Sequence, residues 1–571
     1  MNRLLATAVL ACLGCDSGMG TTPDGGLDAT VSDIDASTDS GTTDAGPQQT
    51  LPACEDTEDV GEGVLAPVAS TLVGTIVPEV ARAAGALRQN PATEDGEVMY
   101  RAMRLDRYAR GPGHDHARRT DLGGEAAAGT RRSIAYFAHL SDFQLVDDES
   151  PARLASFDNP ATSGALRSQE AWLPHAISAM NRTLARVARP ARGYDFGIVT
   201  GDCADSAQEN ELRWVIELMN GQPGTELDSG DDDDPVPGPD NDPKDPFDPV
   251  AFPGPWLYVP GNHDVEVVGV SAPTDALRAQ AIGTRPVGGA RDYRRWYAPA
   301  SMRTITADPE RRILDREDIV AMLLADSNMP GPVGHGYPAA ADVSLGANYV
   351  YDAIPGLLRI VALDTSDLTG GSEGLVLRAT VDGFLVPALE QAELDGVLVM
   401  LASHHATTSI DVFPGQLGTT PLPDAVPPAE LETLIAGYAN VIAWLVGHSH
   451  DNRIRPIAGP DAAHPGYWEI MTSAIADWPG QSRVIELVDN GNGTLSIYGT
   501  LVDFDTDTCM ERRYRRLLTM EWSAAWSDPV HLEPEHRNVE LVRAIPATAA
   551  TAVSEAAEGD RIESETTLRG L

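Results

Sequence analysis

Five apolar segments of the sequence run directly into polar side chains of the kinds that bind metal ions. The segment at residues 196–199, for example, is followed at once by Gly201 and Asp202, and residues 256–259 are followed by Asn262. The other three segments lead into Asp142 and Gln144, into His404 and His405, and into His448 and His450. Since open α/β sheets place their ligands at the carboxyl ends of the strands, we predict five strands whose ends bring these side chains together.

The donor types in this set indicate which metal ions it would bind. Carboxylate, amide and imidazole donors suit Mn, Fe or Zn, whereas a set so poor in thiolates argues against a structural zinc site. One ion takes about four to six donors, and the five segments offer more than that. We therefore predict two metal ions that share Asp202, at the separation of roughly 3.5 to 4 Å that is used in phosphate-ester hydrolysis.

The order of these motifs resembles that of the calcineurin-like metallophosphoesterases, the superfamily of purple acid phosphatases and cyclic-nucleotide phosphodiesterases. The resemblance covers about residues 130 to 505 and is carried by Asp142, Gly201 to Asp205, Gly261 to Asp264, His404, and Gly447 to His450. Residues 147–157, 307–337 and 467–503 are also similar to a secreted bacterial branch of that superfamily. The resemblance implies an α/β fold, a four-layer α/β/β/α sandwich of two mixed sheets with the metal site at the carboxyl ends of the strands.

The same resemblance implies metal-dependent hydrolysis of phosphate esters, either monoesters or diesters. A hydroxide held between two divalent or trivalent ions, Mn, Fe or Zn, would attack phosphorus in line with the leaving group. The resemblance assigns to the first ion Asp142, Gln144, Asp202 and His450, and to the second ion Asp202, Asn262, His404 and His448. It implies that His263 faces the phosphate or leaving group and that Asp205 supports a ligand. His405 is an alternative to His404, because both follow the same strand.

Two hypotheses from other functional classes compete with the prediction of an enzyme. One is a metal-binding pseudoenzyme on the same fold, and its support is Gln144, at a position where the family usually has histidine. The other is a surface-tethered binding protein, which rests on the N-terminal segment and on an insertion between the motifs. Turnover of a generic aryl phosphate separates the enzyme from both.

The charge of the chain restricts its partners. The net charge is −44, with 85 acidic and 41 basic residues. Nucleic-acid binding depends on basic side chains that neutralise phosphates, so duplex nucleic acid is excluded as an expected partner. The expected partner is a small phosphate ester, and the sequence leaves the oligomeric state open.

The N-terminus has the pattern of a bacterial export signal. A positive start is followed by an apolar run at residues 4–13, which is too short to span a bilayer as a helix. Cys15, or alternatively Cys12, follows small residues as in a lipoprotein cleavage site. We expect an exported protein that is lipid-anchored in the cell envelope, touching the membrane only through that anchor; the alternative is an ordinary cleaved signal and a periplasmic or extracellular protein.

The rest of the chain divides into one large domain and two poorly ordered ends. Residues 1–15 are the predicted signal peptide, 16–60 a disordered acidic tether, 61–545 the catalytic domain, and 546–571 a disordered tail. The domain carries insertions at about residues 221–250, predicted to be a flexible solvated loop, and 265–347. Among the five cysteines, Cys54 and Cys509 remain as the candidate disulfide pair.

Periodicity places further elements around the motifs. Helical spacing predicts helices over residues 172–187, 212–219 and 431–438, and an Asn-Gly turn predicts a hairpin over residues 482–501. The 265–347 insertion contains Arg291 to Tyr297, which would either bind a phosphate or sugar or form a packing helix. Structural or surface roles are predicted for Arg153, Arg167 and Glu170, and the alternative is contact with substrate. Asp364 follows a strand as a ligand would, but the resemblance assigns it no metal, so it is predicted to be structural.

Overall fold

The computed structural model of the chain describes residues 70–91, 93–125, 131–160, 162, 166–167, 169–189, 192–234, 236–291, 302, 304–415, 418–556 and 561–562. The predicted signal peptide, Cys12, Cys15, Cys54 and the predicted tether up to residue 60 lie outside this part of the chain. Cys509 is disulfide-bonded. Among the described residues, no helix is long and apolar enough to cross a membrane.

The fold is mixed α/β, as predicted, and most of its strands belong to two large mixed sheets. The strands are β1 Gly74–Pro78, β2 Tyr108–Pro112, β3 Ala117–Arg119, β4 Arg131–Leu140, β5 Phe196–Thr200, β6 Trp256–Val259, β7 Tyr349–Ile354, β8 Leu358–Ala362, β9 Gly374–Leu375, β10 Leu398–Ala402, β11 Ile410–Asp411, β12 Val441–Val446, β13 Arg453–Ala458, β14 Gly466–Met471, β15 Gln481–Asp489, β16 Thr494–Asp503, β17 Val539–Ala544 and β18 Arg561–Ile562.

Helices connect many of these strands. The α-helices are α1 Glu94–Ala102, α2 Leu173–Val187, α3 Glu209–Asn220, α4 Asn262–Val265, α5 Asp275–Ala281, α6 Arg316–Ala325, α7 Arg378–Thr380, α8 Val386–Asp395, α9 Pro428–Ala436, α10 Cys509–Ser523 and α11 Ala550–Ala556. A π-helical segment, Val381–Leu385, joins α7 to α8.

The larger sheet has the strand order β3-β17-β16-β15-β4-β5-β6, and β18 also pairs with β4. Its strands β4, β5 and β6 are parallel neighbours, so their carboxyl ends lie at one edge. β15, β16 and β17 continue the sheet as antiparallel strands on the other side of β4. Every residue of β5 and β6 is buried, as expected for central parallel strands that are covered on both faces.

The second sheet has the order β13-β14-β12-β10-β8-β7. Its four central strands, β8, β10, β12 and β14, are parallel, whereas β7 and β13 are antiparallel edge strands. The strands β10 and β12 are fully buried and end at the two histidine motifs. The five predicted strands are therefore present, but they are divided between two sheets.

The two sheets share one hydrophobic core. Side chains of the larger sheet such as Phe137 and Val484 belong to the same cluster as Met400 of the second sheet. The neighbouring Leu401 points to the other face of β10 and joins a second cluster with Leu431 of α9, as the two-residue period of a strand requires. Each fully buried aliphatic side chain contributes roughly 1.5–3 kcal/mol, so both faces hold the strand ends in place.

The predicted helices and hairpin are confirmed. Residues 172–187 lie largely within α2, where Met180 and Leu184 enter the shared core as their helical spacing predicts. Residues 212–219 lie within α3, and most of residues 431–438 lie within α9. The hairpin is formed by β15 and β16, paired from Gln481 with Asp503 to Asp489 with Leu495.

Most of the described residues at 221–250, predicted to be a flexible solvated loop, are exposed or partly exposed, but a few are buried and anchor the segment. Lys244 is buried, with its Nζ 3.0 Å from Asp148 Oδ1 and 3.6 Å from Glu149 Oε2. The backbone also pairs between Thr225 and Phe247. A high density of charges indicated solvent exposure, but one lysine inside an acidic cluster is enough to tie the loop to the domain.

The predicted disordered tail was wrong over its first part. Residues 550–556 form α11, and residues 561–562 pair with β4 as strand β18. The reason is that Ala549 and Val553 pack into the shared hydrophobic core. A composition rich in small residues concealed this anchoring, because two apolar side chains suffice for it. Residues 563–571 lie outside the described part of the chain.

Candidate metal centre

The candidate ligands meet where the two sheets present the carboxyl ends of their parallel strands. β4, β5 and β6 of the larger sheet lead into Asp142, Asp202 and Asn262, while β10 and β12 of the second sheet lead into His404 and His448. Hydrogen bonds cross between the two sheets here, since His404 Nδ1 donates to Thr200 O at 2.8 Å and His448 N donates to Asp142 Oδ1 at 3.2 Å.

Asp202 lies at the middle of the cluster. Its Oδ2 is 3.0 Å from His404 Nε2 and accepts a hydrogen bond from Gln144 Nε2 at 3.3 Å. Its Oδ1 accepts from the backbone nitrogen of His263 at 2.9 Å. The side chain is buried, so its two oxygens face donors from both sheets, as a carboxylate shared between two ions would.

Asp142 occupies the second acidic position. Its Oδ1 lies 3.3 Å from His450 Nε2 and 3.9 Å from His404 Nε2. Both of its oxygens accept from the backbone nitrogen of His448 at 3.2 Å. One ligand atom each from Asp142, Asp202 and His404 lie within 4.8 Å of one another, a spacing that fits a common metal ion.

The neighbouring histidines have different hydrogen-bonding states. His404 Nδ1 donates to Thr200 O at 2.8 Å, which leaves its Nε2 facing Asp202 and Asp142. Both ring nitrogens of His405 are engaged, Nδ1 with Thr365 Oγ1 at 2.8 Å and Nε2 with Ser372 O at 3.0 Å. His405 packs against the His448 ring with centroids 4.4 Å apart. The geometry therefore favours His404 over His405 as the ligand.

Two amide oxygens in the cluster are buried without a hydrogen-bond partner among the described residues, Gln144 Oε1 and Asn262 Oδ1. Asn262 is oriented by its other atom, since Nδ2 donates to Gly269 O at 2.8 Å. A buried oxygen without a donor loses its hydration and gains nothing in exchange, so it needs a partner. A cation would satisfy both oxygens, and the donor set fits metal ions.

Five candidate ligands have left-handed backbone conformations, which are unfavourable for residues other than glycine. The φ angles are 52° at Asp142, 44° at Gln144, 52° at Asp202, 74° at His448 and 52° at His450. Such strain persists where the surrounding structure enforces it, and it is concentrated at functional sites. The sequence gives no signal for this feature beyond the adjacent glycines.

One glycine of the motifs is required by close packing. A Cβ atom at Gly447 would lie 1.9 Å from Ser141 Oγ and 2.7 Å from Asp142 Oδ2. The backbone of the β12 end therefore passes directly against the first acidic residue. This contact explains why glycine precedes the histidine pair.

Burial and charge act in opposite directions on the ionisable groups of the cluster. Burial favours the neutral acids, but the adjacent histidines hold the pKa of Asp202 well below its ordinary value. In the same way, burial lowers the pKa of His404, but Asp202 and Asp142 outweigh it and raise the pKa to about 9. The acids therefore remain anionic and attract positive charge to this point.

His263 and Asp205 are in contact, a pairing that was not predicted from the sequence. His263 Nδ1 donates to the backbone oxygen of Asp205 at 2.8 Å and lies 3.5 Å from its carboxylate. Arg153 lies 3.3 Å from Asp205 Oδ2 and also pairs with Glu170 at 2.7 Å. Arg153 and Glu170 are buried, in agreement with the structural roles predicted for them.

Asp477 belongs to the cluster but was not singled out in the sequence. It lies in the loop after β14, and its Oδ2 is 2.5 Å from His450 Nδ1. Arg167 binds it with two nitrogens, Nε at 2.7 Å from Oδ1 and Nη2 at 3.0 Å from Oδ2. No motif marks Asp477, because its role depends on a contact over a distance of 310 residues along the chain.

A cavity of about 350 Å³ opens onto the cluster. Its lining includes six of the candidate site residues, Gln144, Asp202, Asn262, His263, His448 and His450. Ser372, Glu373, Ser409, Trp478 and Asp528 are among the residues of its walls. Arg291, from the basic and aromatic stretch of the insertion, pairs with Glu170 at 2.8 Å, and residues 292–297 lie outside the described part of the chain.

No family model and no curated protein matches the chain. Solved structures similar to it include a dimetal phosphatase from Danio rerio, at 12% identity and a TM-score of 0.35, covering 65% of this chain and 99% of that one. A putative 5'-nucleotidase from Staphylococcus aureus is similar at 12% identity and a TM-score of 0.32, covering 67% of this chain and 57% of that one. A purple acid phosphatase from yellow lupin is similar at 10% identity and a TM-score of 0.29, covering 66% of this chain and 52% of that one. The chain thus spans about half the length of the last two, and its function has to be argued from its own site.

Proposed function

We propose that the protein is a hydrolase of phosphate esters, monoesters or diesters, that works with two metal ions. The observation that carries this proposal is the convergence, beside one cavity, of two buried carboxylates, three imidazoles and two amide oxygens that have no hydrogen-bond partner among the described residues. A single structural ion would not require so many donors. A cavity above them provides room for a substrate.

The residues proposed to hold the first ion are Asp142, Gln144, Asp202 and His450, and those for the second are Asp202, Asn262, His404 and His448. When bound, the ions supply positive charge that lowers the pKa of water and neutralises phosphoryl oxygens, the terms that dominate phosphoryl transfer. The protein fixes the donors before binding, because they end rigid strands in two sheets that share a core.

We assign the proton-handling role to His263. Its Nδ1 is held by Asp205, which leaves Nε2 as the ring nitrogen available to a substrate in the cavity. Asp205 and Asp202 raise the pKa of His263 against the effect of burial, so the ring can hold a proton for a leaving oxygen. No nucleophilic side chain is required, because water is the attacking group.

The test is turnover of an aryl phosphate monoester and an aryl phosphate diester by the purified protein, with Mn, Zn or Fe added and with a chelator. Metal content is measured in the same samples. We expect hydrolysis of at least one ester that disappears with the chelator and returns with metal. Two bound ions without turnover of either ester would support the metal-binding pseudoenzyme instead, and no bound metal would refute both.

Two finer features are also part of the proposal. We propose that helices cover the outer faces of the two sheets in a four-layer sandwich of the metallophosphoesterase type. We propose that the protein is exported and anchored through a lipid on Cys15. The shared core of the two sheets supports the first, whereas the second rests on the sequence alone, because Cys15 lies outside the described residues.

A further inference from the structure

Arg167, Asp477 and His450 form a buried row behind the first proposed metal position. Arg167 is 3% exposed and Asp477 is 6% exposed, so the pair is largely shielded from water. The Arg167 guanidinium binds the Asp477 carboxylate through two hydrogen bonds, the bidentate geometry in which arginine recognises a carboxylate most specifically. The imidazole then contacts the same carboxylate through Nδ1 at 2.5 Å.

The contact with Asp477 determines the orientation of the His450 ring and which of its nitrogens carries the hydrogen. A carboxylate accepts hydrogen bonds, so Nδ1 donates its hydrogen to Asp477, and Arg167 Nη2 lies 3.2 Å from the same Nδ1. Nε2 is then the atom directed at Asp142, 3.3 Å away. His450 has a left-handed backbone conformation, with φ of 52°, and its side chain lines the cavity. Asp477 therefore supplies a fixed contact for a ring that would otherwise have room to turn.

Asp477 also lines the cavity, which raises the question of whether it binds metal itself. Its Oδ1 is taken by Arg167 Nε, and its Oδ2 by Arg167 Nη2 and His450 Nδ1. Arg167 thus contacts both oxygens, and the His450 imidazole contacts one of them. These contacts make Asp477 a partner of the proposed ligand His450.

Helix α10 contacts both of the segments that contain Arg167 and Asp477. Tyr514 of α10 donates from its hydroxyl to Ile475 O at 2.9 Å and to Ala476 O at 3.1 Å, directly before Asp477. Glu521, two turns further along α10, accepts from Gln169 Nε2 at 2.7 Å, close to Arg167 in the chain. Ala476 N also donates to Asp142 O at 3.2 Å. The pair is thereby fixed relative to both the helix and the metal cluster.

We propose that Arg167 and Asp477 are positioning residues that set the orientation and tautomer of His450 and so determine the affinity of the first metal site. This inference rests on the proposed function, because it concerns a ligand of the same centre. Partners of metal-bound histidines typically change metal affinity or activity by about 10-fold to 100-fold when they are replaced. We expect an effect of that size on one of the two ions only.

The experiment measures Mn binding to the full chain by competition with a chelator, together with kcat and KM for the aryl ester that the wild type hydrolyses. The variants are Asp477→Asn, Asp477→Glu and Arg167→Lys. Asp477→Asn removes the negative charge, and Asp477→Glu keeps a carboxylate. Arg167→Lys keeps the positive charge but loses the bidentate contact with the carboxylate. We expect Asp477→Asn and Arg167→Lys to weaken one site about tenfold or more and to lower kcat with little change in KM, while Asp477→Glu restores part of both.

A second buried ion pair serves as the matched control. Arg513 Nη2 lies 2.7 Å from Glu97 Oε2 and Nη1 lies 3.3 Å from Oε1, and both residues are buried outside the cavity. Glu97→Gln and Arg513→Lys therefore impose a comparable loss of a buried pair. We expect these variants to lose thermal stability but to keep the Mn affinity of the wild type.

The outcomes separate this inference from the proposed function. If the wild type binds no metal, the proposed function fails and the positioning role fails with it. If the wild type binds two ions and Asp477→Asn binds both with unchanged affinity, only the positioning role is overturned. Equal loss of affinity in Glu97→Gln would also overturn it, because the effect would then follow from general destabilisation.

Discussion

The Nδ1 atom of His448 lies 3.3 Å from the Nε2 atom of His404. His404 Nδ1 already donates to Thr200 O, and the raised pKa of His404 places a second proton on Nε2, which donates it to His448 Nδ1. Burial and the charge of His404 lower the pKa of His448, which disfavours a second proton there. In the proposed function a metal ion takes the place of the proton between the two rings.

The first prediction concerns Asp202, the residue proposed to be shared by both ions. We expect Asp202→Asn to lose more than nine-tenths of the wild-type rate and to release metal, because the shared ligand loses its charge. The measurement is turnover of the aryl ester and metal content per chain. Retention of more than a tenth of the rate with two ions bound would contradict the dinuclear arrangement.

Asp364 provides the control for Asp202→Asn. It also follows a buried strand, β8, and its side chain is buried, but it pairs with Arg316 at 2.5 Å and accepts from Ala347 N at 3.0 Å. Asp364→Asn removes the same charge at a structural position, in agreement with the role predicted for it. We expect lower thermal stability and unchanged metal content.

The second prediction separates the adjacent histidines. We expect His404→Ala to lose one ion and at least 100-fold in rate, since Nε2 is a proposed ligand atom. We expect His405→Asn to keep both ions, because the ring nitrogens of His405 bind Thr365 and Ser372 instead. Metal content of the two variants is the measurement. Loss of metal in His405→Asn with retention in His404→Ala would reverse the assignment.

The parts of the fold that the sequence predicts well are those set by local pattern. Buried strands that end in Asp202, Asn262 or His448 show an apolar run followed by a break, and the helix at Met180 and Leu184 shows helical spacing. These signals lie within a few residues of one another. Their agreement with the structure follows from the burial of one face or both faces of each element.

The parts that the sequence does not predict depend on distant contacts. Asp477 meets Arg167 across 310 residues, and Lys244 meets Asp148 across 96 residues. Nothing in the composition of either segment distinguishes a buried pair from exposed charges. The left-handed backbone at the ligands is equally hidden, because side-chain types do not report φ at residues other than glycine and proline.

The third prediction tests how closely the backbone approaches the site at Gly269. A Cβ there would lie 2.1 Å from His263 Cδ2 and 2.6 Å from Asn262 Nδ2, and φ is +62°. We expect Gly269→Ala to displace both side chains and to lower kcat by at least tenfold, since misplacement by about 1 Å can cost about 100-fold. Gly356 is the control, because its φ is +75° and a Cβ added there would have no atom within 4 Å among the described residues. Gly356→Ala therefore introduces the backbone strain without a steric clash. Equal kinetics of the two variants would contradict the explanation.

The fourth prediction concerns the N-terminus. We expect a labelled fatty acid supplied to growing cells to mark the protein, and Cys15→Ala to reduce or remove the label. The reason is the short apolar run that ends in Leu-Gly-Cys before an acidic segment without large apolar side chains. Electrophoresis of the labelled protein is the measurement, with Cys12→Ala as the matched control. An unlabelled wild-type protein that begins at another residue would refute anchoring.

The last prediction concerns Gln144, which stands where the resembled family usually has histidine. Its Nε2 donates to Asp202 Oδ2 at 3.3 Å, and its Oε1 is buried without a hydrogen-bond partner among the described residues. An amide oxygen is a weaker donor to Zn or Fe than imidazole and is closer to what Mn, Ca or Mg accept. The first site is therefore expected to be the looser one, with fewer than two ions in protein purified without added metal.

Titration of activity against Mn decides the role of Gln144. We expect millimolar Mn to raise the activity of the wild type. Gln144→His should shift the curve to lower Mn, because an imidazole nitrogen replaces the amide oxygen as a stronger donor. Gln144→Leu, which has a similar size and no donor, should shift it to higher Mn or abolish the rise. Superimposable curves for all three proteins would show that Gln144 packs beside the site and that another group completes the coordination of the first ion.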